Sequence, residues 1–319
     1  MLPLLASVPL ETGAIVMATG IVAIGLGRIH VDSLSLPLVA IAACIWLVLL
    51  ASLGLQAAEG LAELMVKLRA PAAVALVAGT AVLGTRLQAL GWLVPGAVLL
   101  GLAVVFMALL LGPVLGHWQT PNHGASFLLA VAVAALAALA AELSVRAHAA
   151  WLLVAAGVLW GLALVAYLFV LANFDFRDVL HGRGDHWVAG GALAIAMLVG
   201  DEFCLGLRSL HHAYAGAPEV AAIAIWAAAS GWILVLLLGE LAHPRLAYHH
   251  LRWATVFPLG MYGVGTLTLG RLCHTAALLA LGGTFIWIGF AAWVAGAAAL
   301  LLAQSGRIRA VVVDGASTR

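Results

Sequence analysis

Charged residues are scarce in this chain: Asp, Glu, Lys and Arg together make up 8% of its 319 residues. A soluble domain carries roughly 25% charged residues, because its surface must be hydrated. Hydrophobic residues make up 65% of the chain, so most of its surface must face the hydrocarbon of a lipid bilayer. The scarcity of charge excludes a water-soluble domain, and the net charge of +1 gives no reason to expect a nucleic-acid partner.

Cysteines and catalytic motifs are also scarce. The three cysteines are Cys44, Cys204 and Cys273, and their spacing indicates neither a disulfide framework nor a metal site. The sequence shows no nucleophile–base motif, phosphate-binding loop or carboxylate pair with catalytic spacing, so we expect no enzyme activity. Haem would need histidine ligands inside helices, whereas the 12 histidines fall in loops or near predicted helix ends. We therefore expect no cofactor and no metal.

Long apolar runs fill the rest of the chain. A membrane-spanning helix needs about 20 mostly apolar residues, and ten runs approach or exceed that length. They predict helices over residues 9–29, 34–54, 70–86, 91–115, 124–145, 149–172, 187–208, 219–240, 252–271 and 275–303. Residues 1–303 would then form one ten-helix transmembrane domain, and residues 304–319 a short polar tail.

The distribution of lysine and arginine predicts the orientation. These residues are more numerous in the loops on the side of the N-terminus than in the opposite loops. Cytoplasmic loops carry the excess of positive charge in membrane proteins. We therefore expect a multi-pass protein of the plasma (inner) membrane with both termini in the cytoplasm.

Five arginines recur at intervals of about 60 residues, which indicates an internal repeat. Each lies at or just past the end of an odd-numbered predicted helix. They are Arg28, Arg86, Arg146, Arg208 and Arg271. The period predicts a helical hairpin used five times.

Odd and even helices differ in composition. The odd helices are rich in Gly and Ala, which allow helices to pack closely in a membrane, and the even helices carry most of the 11 tryptophans. This contrast predicts an all-α fold with an inner ring of five odd helices around a central pore and an outer ring of even helices facing lipid.

The five arginines would then surround one mouth of the pore. Rings of Arg or Lys select anions in channels; the alternative is that these arginines anchor helix ends at the lipid headgroups. Positions below them on the same helix faces are mostly small or flexible and apolar. These predicted pore-lining residues are Met17, Ile21, Ala75, Gly79, Ala135, Leu139, Met197, Gly260 and Val264.

Two residues on these faces differ from the rest. Phe257 is aromatic and lies about four turns below Arg271, so we predict that it closes the pore as an apolar gate. Asp201 lies roughly 10 Å below the outer arginines and is a candidate for proton coupling, with a structural ion pair as the alternative. Its neighbour Glu202 points toward another helix, and the spacing of Glu142 predicts a local ion pair with Arg146.

Two segments resemble a known family. Residues Glu11–Val22 resemble the first-helix signature of the tellurite-resistance/dicarboxylate transporter family, which includes malate permeases, sulfite efflux proteins and slow-type anion channels. Residues Trp253–Tyr262 resemble its ninth-helix signature, Trp-x-x-x-Phe-Pro-Leu-Gly-Met-Tyr. The resemblance implies five hairpins around a pore, a homotrimer, and an occluding phenylalanine that corresponds to Phe257. Asp201 departs from the largely neutral pores of the channel members.

Three functional hypotheses follow. The first is a gated channel or uniporter for small anions. The second is a proton-coupled carrier of the C4-dicarboxylate, tellurite or sulfite type, and the third is a membrane scaffold whose axis is packed shut. The expected partners are a small anion, the lipid bilayer and further copies of the same chain.

Overall fold

Helices make up almost all of the computed structural model, which describes residues 8–181, 184–211, 216–244 and 250–317. Three short 3-10 turns, at Pro71–Val74, Gly124–Phe127 and His250–Arg252, each lead into a longer helix. The longer helices in the described ranges are α1 (Thr12–Arg28), α2 (Asp32–Lys67), α3 (Ala75–Ala89), α4 (Leu93–Gly116), α5 (Leu128–Arg146), α6 (Ala150–Ala172), α7 (Trp187–His211), α8 (Gly216–Ala242), α9 (Trp253–Leu272) and α10 (Ala276–Ser317).

Eight helical segments in the described ranges are long and apolar enough to cross a membrane. The two helices outside this set are α1 and α9. Helix α1 has only 17 residues, and the apolar sequence of α9 contains several glycines and threonines, which lower its mean hydropathy. The prediction of an all-helical, multi-pass membrane chain is confirmed, while the count of ten spans stays a prediction.

Two predicted helix ends are wrong. Helix α2 continues past residue 54 to Lys67, with an extended residue at Gly60 (φ −174°, ψ 91°) that divides it. Helix α10 continues past residue 303 to Ser317, so most of the predicted polar tail is helical. A search for long apolar runs misses extensions such as residues 61–67, where buried Leu64 lies among exposed neighbours.

The odd helices close into a ring. Helix α1 packs against α3, α3 against α5, α5 against α7, α7 against α9, and α9 against α1. Each even helix packs on the odd helix that precedes it and exposes large apolar side chains such as Leu109 and Val154. The odd helices therefore lie inside and the even helices outside, where lipid would contact them. We call the end at which the odd helices begin the inner end, and the opposite end the outer end.

Glycines explain how closely the ring helices approach. A Cβ atom on Gly20 of α1 would lie 2.7 Å from Val82 of α3, and one on Gly260 of α9 would lie 3.0 Å from Ile21 of α1. Without hydrophobic attraction between apolar helices in lipid, such close packing is a main source of helix association. The excess of small residues on the odd helices is thus a packing requirement of the ring.

Two adjacent glycines of α10 offer a matched test of the packing between α9 and α10. A Cβ on Gly282 would lie 2.7 Å from the Cα of Leu267, whereas a Cβ on Gly283 would meet nothing within 4 Å. We expect Gly282→Ala to destabilise the protein by about 1–3 kcal/mol through overpacking. Gly283→Ala is expected to stabilise it by about 0.5–1 kcal/mol. Thermal unfolding in detergent compares the two variants, and equal shifts would contradict the described contact.

Candidate functional site

A cavity of about 190 Å³ lies at the inner end of the ring. All five odd helices, or the turns that lead into them, contribute to its wall, so it lies on the axis of the ring. We call it the inner cavity. Its lining is mostly apolar and includes Ala14, Met17, Ala72, Ala75, Ala125, Leu128, Val188, Ala254 and Phe257.

Phe257 forms part of this lining and is almost completely buried, at 1% exposure. Its ring lies against α7, where a Cβ on Gly191 would be 3.0 Å from the Phe257 Cε1 atom. Gly191 thus provides the space that the aromatic ring occupies. The predicted gate residue lies where the inner cavity meets the packed interior of the ring, and its role as a gate stays a prediction.

A polar cluster occupies the outer end of the ring. Arg28 of α1 forms ion pairs with Glu142 of α5 at 2.5 Å and with Glu202 of α7 at 2.7 Å. It also donates a hydrogen bond to the hydroxyl of Thr268 on α9, and Gln88 of α3 donates one to Glu142. We call these five residues the outer cluster. Every odd helix contributes one member.

The outer cluster lies across the axis. The neighbours of α1 in the ring are α3 and α9, so α5 and α7 lie on the far side. A side chain of α1 that pairs with carboxylates of both α5 and α7 must therefore cross the interior of the ring. Glu202 meets another helix, as predicted. The predicted local pairing of Glu142 with Arg146 is corrected, because Glu142 pairs with Arg28.

Asp201 lies beside the outer cluster and is completely buried. It interacts electrostatically with Arg28 and Glu202. Neither of its carboxylate oxygens has a hydrogen-bond partner among the described residues. Desolvation of an unpaired carboxylate is costly, so Asp201 needs a functional or structural explanation.

Two of the predicted mouth arginines lie in ion pairs with the even helices. Arg86 pairs with Asp32 of α2 at 2.9 Å. Arg208 pairs with Glu219 of α8 at 2.6 Å. Both partners lie in the first turn of an even helix, where carboxylates also favour the helix dipole. These pairs fasten inner and outer helices together.

The other arginines differ among themselves. Arg271 donates a hydrogen bond to the backbone carbonyl of Arg28 at 2.7 Å, and Arg146 is exposed. Three of the five arginines, Arg28, Arg86 and Arg208, are thus paired with carboxylates, and the role of the five as an anion-selective mouth stays a prediction. The sequence patterns did not predict Gln88 and Thr268 as members of a site. Each lies within one helical turn of a repeated arginine, Arg86 or Arg271, and this proximity could have indicated them.

Comparison with known proteins decides the family. A family model described as voltage-dependent anion channel matches residues 7–301. The chain belongs to the voltage-dependent anion channel family. It is also 30% identical over 135 residues to an uncharacterized membrane protein of Mycobacterium tuberculosis strain CDC 1551 / Oshkosh, a match that covers 38% of this chain and 68% of the relative. The same figures apply to an uncharacterized membrane protein of strain H37Rv.

Membership of the voltage-dependent anion channel family confirms the family that the sequence resembles and relates the chain to anion transport through a membrane channel. Both signature segments contribute to the inner cavity, the first through Ala14 and Met17 and the second through Ala254 and Phe257. The family signature thus coincides with the site that the geometry indicates.

The other residues predicted to line the pore are buried in the ring. Several pack at helix contacts; a Cβ on Gly79, for example, would lie 3.2 Å from Val16 of α1, and Leu139 lies against Gly84 of α3. Their role in lining a conduction path stays a prediction. These buried residues are Ile21, Gly79, Ala135, Leu139, Met197, Gly260 and Val264.

Proposed function

We propose that this protein is a gated channel that lets small anions cross the membrane along the axis of the five odd helices. One observation carries the proposal: the odd helices close into a ring, and the cavity on its axis ends at a buried phenylalanine. In this arrangement all ten helices span the bilayer. A scaffold would not need a cavity lined by every helix of the inner ring.

Helix dipoles favour anions in the inner cavity. Each helix N-terminus carries about half a positive elementary charge, and five odd helices begin around this cavity. Two carboxylates, Glu11 and Asp185, also line it. The Asp185 carboxylate accepts a hydrogen bond from the backbone N–H of Ala125 at 3.4 Å, which directs part of its charge toward the helix start. Together the five helix ends offset the two carboxylates.

Assembly and orientation belong to the same proposal. The family resemblance supports a homotrimer, and the exposed apolar side chains of the even helices are suited to lipid or to neighbouring copies. The lysine and arginine distribution supports an inner-membrane location with cytoplasmic termini. The inner cavity would then open to the cytoplasm.

Chloride flux into proteoliposomes tests the proposal. We expect the purified protein to pass chloride down its gradient faster than empty vesicles do, with little flux of potassium. An equal rate in protein-free vesicles, at every pH between 5 and 8, would leave the scaffold hypothesis as the better account.

A second candidate function is a proton-coupled carrier of the C4-dicarboxylate, tellurite or sulfite type. The observation that favours it is Asp201, whose carboxylate is buried without a hydrogen bond among the described residues. Such a group can bind a proton at little cost, because the neutral form is easier to bury than the charged one.

Asp201→Asn separates the carrier from the channel. A carrier with one proton per anion accumulates its substrate about tenfold for each unit of pH difference, since one unit equals about 1.4 kcal/mol. We expect Asp201→Asn to abolish this accumulation of malate or sulfite while downhill flux persists. Asp175→Asn, outside the ring, is the control. Accumulation that survives in Asp201→Asn would exclude Asp201 as the coupling residue, and no accumulation by the native protein would exclude the carrier.

A further inference from the structure

The outer cluster lies across the axis of the ring, because the side chain of Arg28 reaches helices on the far side of it. The guanidinium group contacts helices on three sides: α5, α7 and α9. An anion that enters from the outer end must therefore meet Arg28 before it can reach Phe257. Arg28 is also the one strongly basic side chain among the five members of this cluster.

The cluster holds more acid than base. Two carboxylates, Glu142 and Glu202, share the guanidinium of Arg28, and Asp201 lies beside them without a hydrogen bond in the described part of the chain. Removing charges from water is costly unless each is compensated. Like charges that share one partner favour the binding of a proton to one of them.

We propose that Arg28 is the anion-binding residue at the outer end of the pathway, and that Glu142 and Glu202 occupy it as built-in competing anions. This inference rests on the proposed transport function. Protons from the outer solution that bind to this group of carboxylates weaken its ion pairs with Arg28, and the guanidinium becomes available to an external anion. The two ion-pairing glutamate side chains are 10% and 13% exposed and Arg28 is 15% exposed, so the site lies within reach of the outer solution.

Counting charges shows why protons are needed. With both glutamates ionised, the trio of Arg28, Glu142 and Glu202 carries a net charge of −1 and repels an anion. One proton brings the net charge to zero, and a second brings it to +1. A guanidinium presents parallel N–H donors that match planar oxyanions, so nitrate and carboxylates are the favoured class over halides.

Other charged groups face the cluster from the surrounding helices. Asp201 of α7 adds a carboxylate, Arg271 of α9 is bonded to the backbone of Arg28, and Arg146 of α5 acts on Glu142 electrostatically. Helix α3 contributes only the neutral Gln88 to the cluster. Its arginine, Arg86, pairs instead with Asp32 of α2. Arginines stay protonated at all relevant pH values, so titration of the cluster is titration of its carboxylates.

The native protein provides the first measurement. Nitrate flux into proteoliposomes is recorded with equal pH on both sides, and the half-saturating nitrate concentration is determined at pH 8 and at pH 5. We expect this concentration to fall by about tenfold or more at pH 5, because Arg28 would then be available to nitrate in a much larger fraction of the molecules. A half-saturating concentration that does not change with pH, in a protein that does conduct nitrate, would overturn the inference and leave the proposed function intact.

Neutral variants identify the residues responsible. Glu142→Gln combined with Glu202→Gln imitates the protonated cluster, so we expect half-saturation at pH 8 to match the native value at pH 5. The double variant should therefore have lost the pH dependence, and adding Arg28→Gln should raise its half-saturating concentration by about tenfold or more at both pH values. If the triple variant instead conducts as well as the double variant, the cluster only closes the path and Arg28 does not bind the anion.

An ion pair away from the axis serves as the matched control. Arg208 and Glu219 lie at the same end of the molecule but join α7 to α8. Replacing both with glutamine should leave the half-saturating nitrate concentration and its pH dependence unchanged. A shift equal to that of the cluster variants would show a general effect of surface charge and would contradict a specific site at Arg28.

Discussion

Replacing Phe257 with alanine is expected to raise anion conductance by at least about tenfold. The ring of Phe257 lies between the inner cavity and the packed interior of the helix ring, where an anion must lose its hydration shell to pass. Each 1.4 kcal/mol removed from that barrier raises the rate about tenfold. The effect should be largest at acidic outer pH, where Arg28 is released from its glutamates and Phe257 alone limits the flow.

The matched control for this variant is Phe127→Ala. Phe127 is as deeply buried as Phe257, but it packs against Tyr167 and Phe174 at the start of α5 and does not line the cavity. Both substitutions leave a void that costs about 3–5 kcal/mol. Increased conductance in both variants would indicate loosened packing rather than a gate. Reduced conductance in a well-folded Phe257→Ala would contradict the gate directly.

Replacing Gly124 with valine is expected to lower the stability of the protein by about 3 kcal/mol, near the upper end of overpacking costs. A Cβ at Gly124 would overlap the backbone carbonyl of Asp185 and lie 2.5 Å from the backbone nitrogen of His186. Backbone atoms cannot rotate away as a flexible side chain can. The start of α5 would therefore move away from the start of α7. This movement would also open one side of the inner cavity.

Thermal unfolding in detergent measures this effect. We expect the apparent Tm of Gly124→Val to fall by about 6–12 °C, since larger domains lose about 2–4 °C per kcal/mol. Gly161→Val is the control, because a Cβ at Gly161 meets nothing within 4 Å. Similar Tm values for the two variants would contradict the close contact between α5 and α7.

The arrangement of the helices was accessible from the sequence because it leaves a periodic signal. Five arginines at one spacing mark the hairpins, and the contrast between small and bulky helices matches their places inside and outside the ring. The location of Phe257 in the cavity lining followed from its place on one helix face and from the family signature. Each of these signals is a pattern along the chain, so one sequence suffices to read it.

The pairing of charges was not accessible in the same way. Arg28 and Glu142 lie on opposite sides of the ring, more than a hundred positions apart in the chain, and their contact depends on how α1 and α5 are rotated about their own axes. Spacing along one helix suggested a pairing with Arg146, which is a weak interaction at an exposed helix end. The burial of Arg28 favours the stronger pair, and only the packed ring reveals it.

Covalent block of a cysteine at position 257 tests the central claim most directly. The claim is that anions move along the axis of the odd helices and pass Phe257. Phe257→Cys should conduct more than the native protein in planar bilayers. A negatively charged methanethiosulfonate reagent added on the side of the inner cavity should then abolish that increase, while the native protein, with Cys44, Cys204 and Cys273 present, should not respond. An increased current that persists after complete modification of Cys at this position would place the anion path elsewhere and contradict the account.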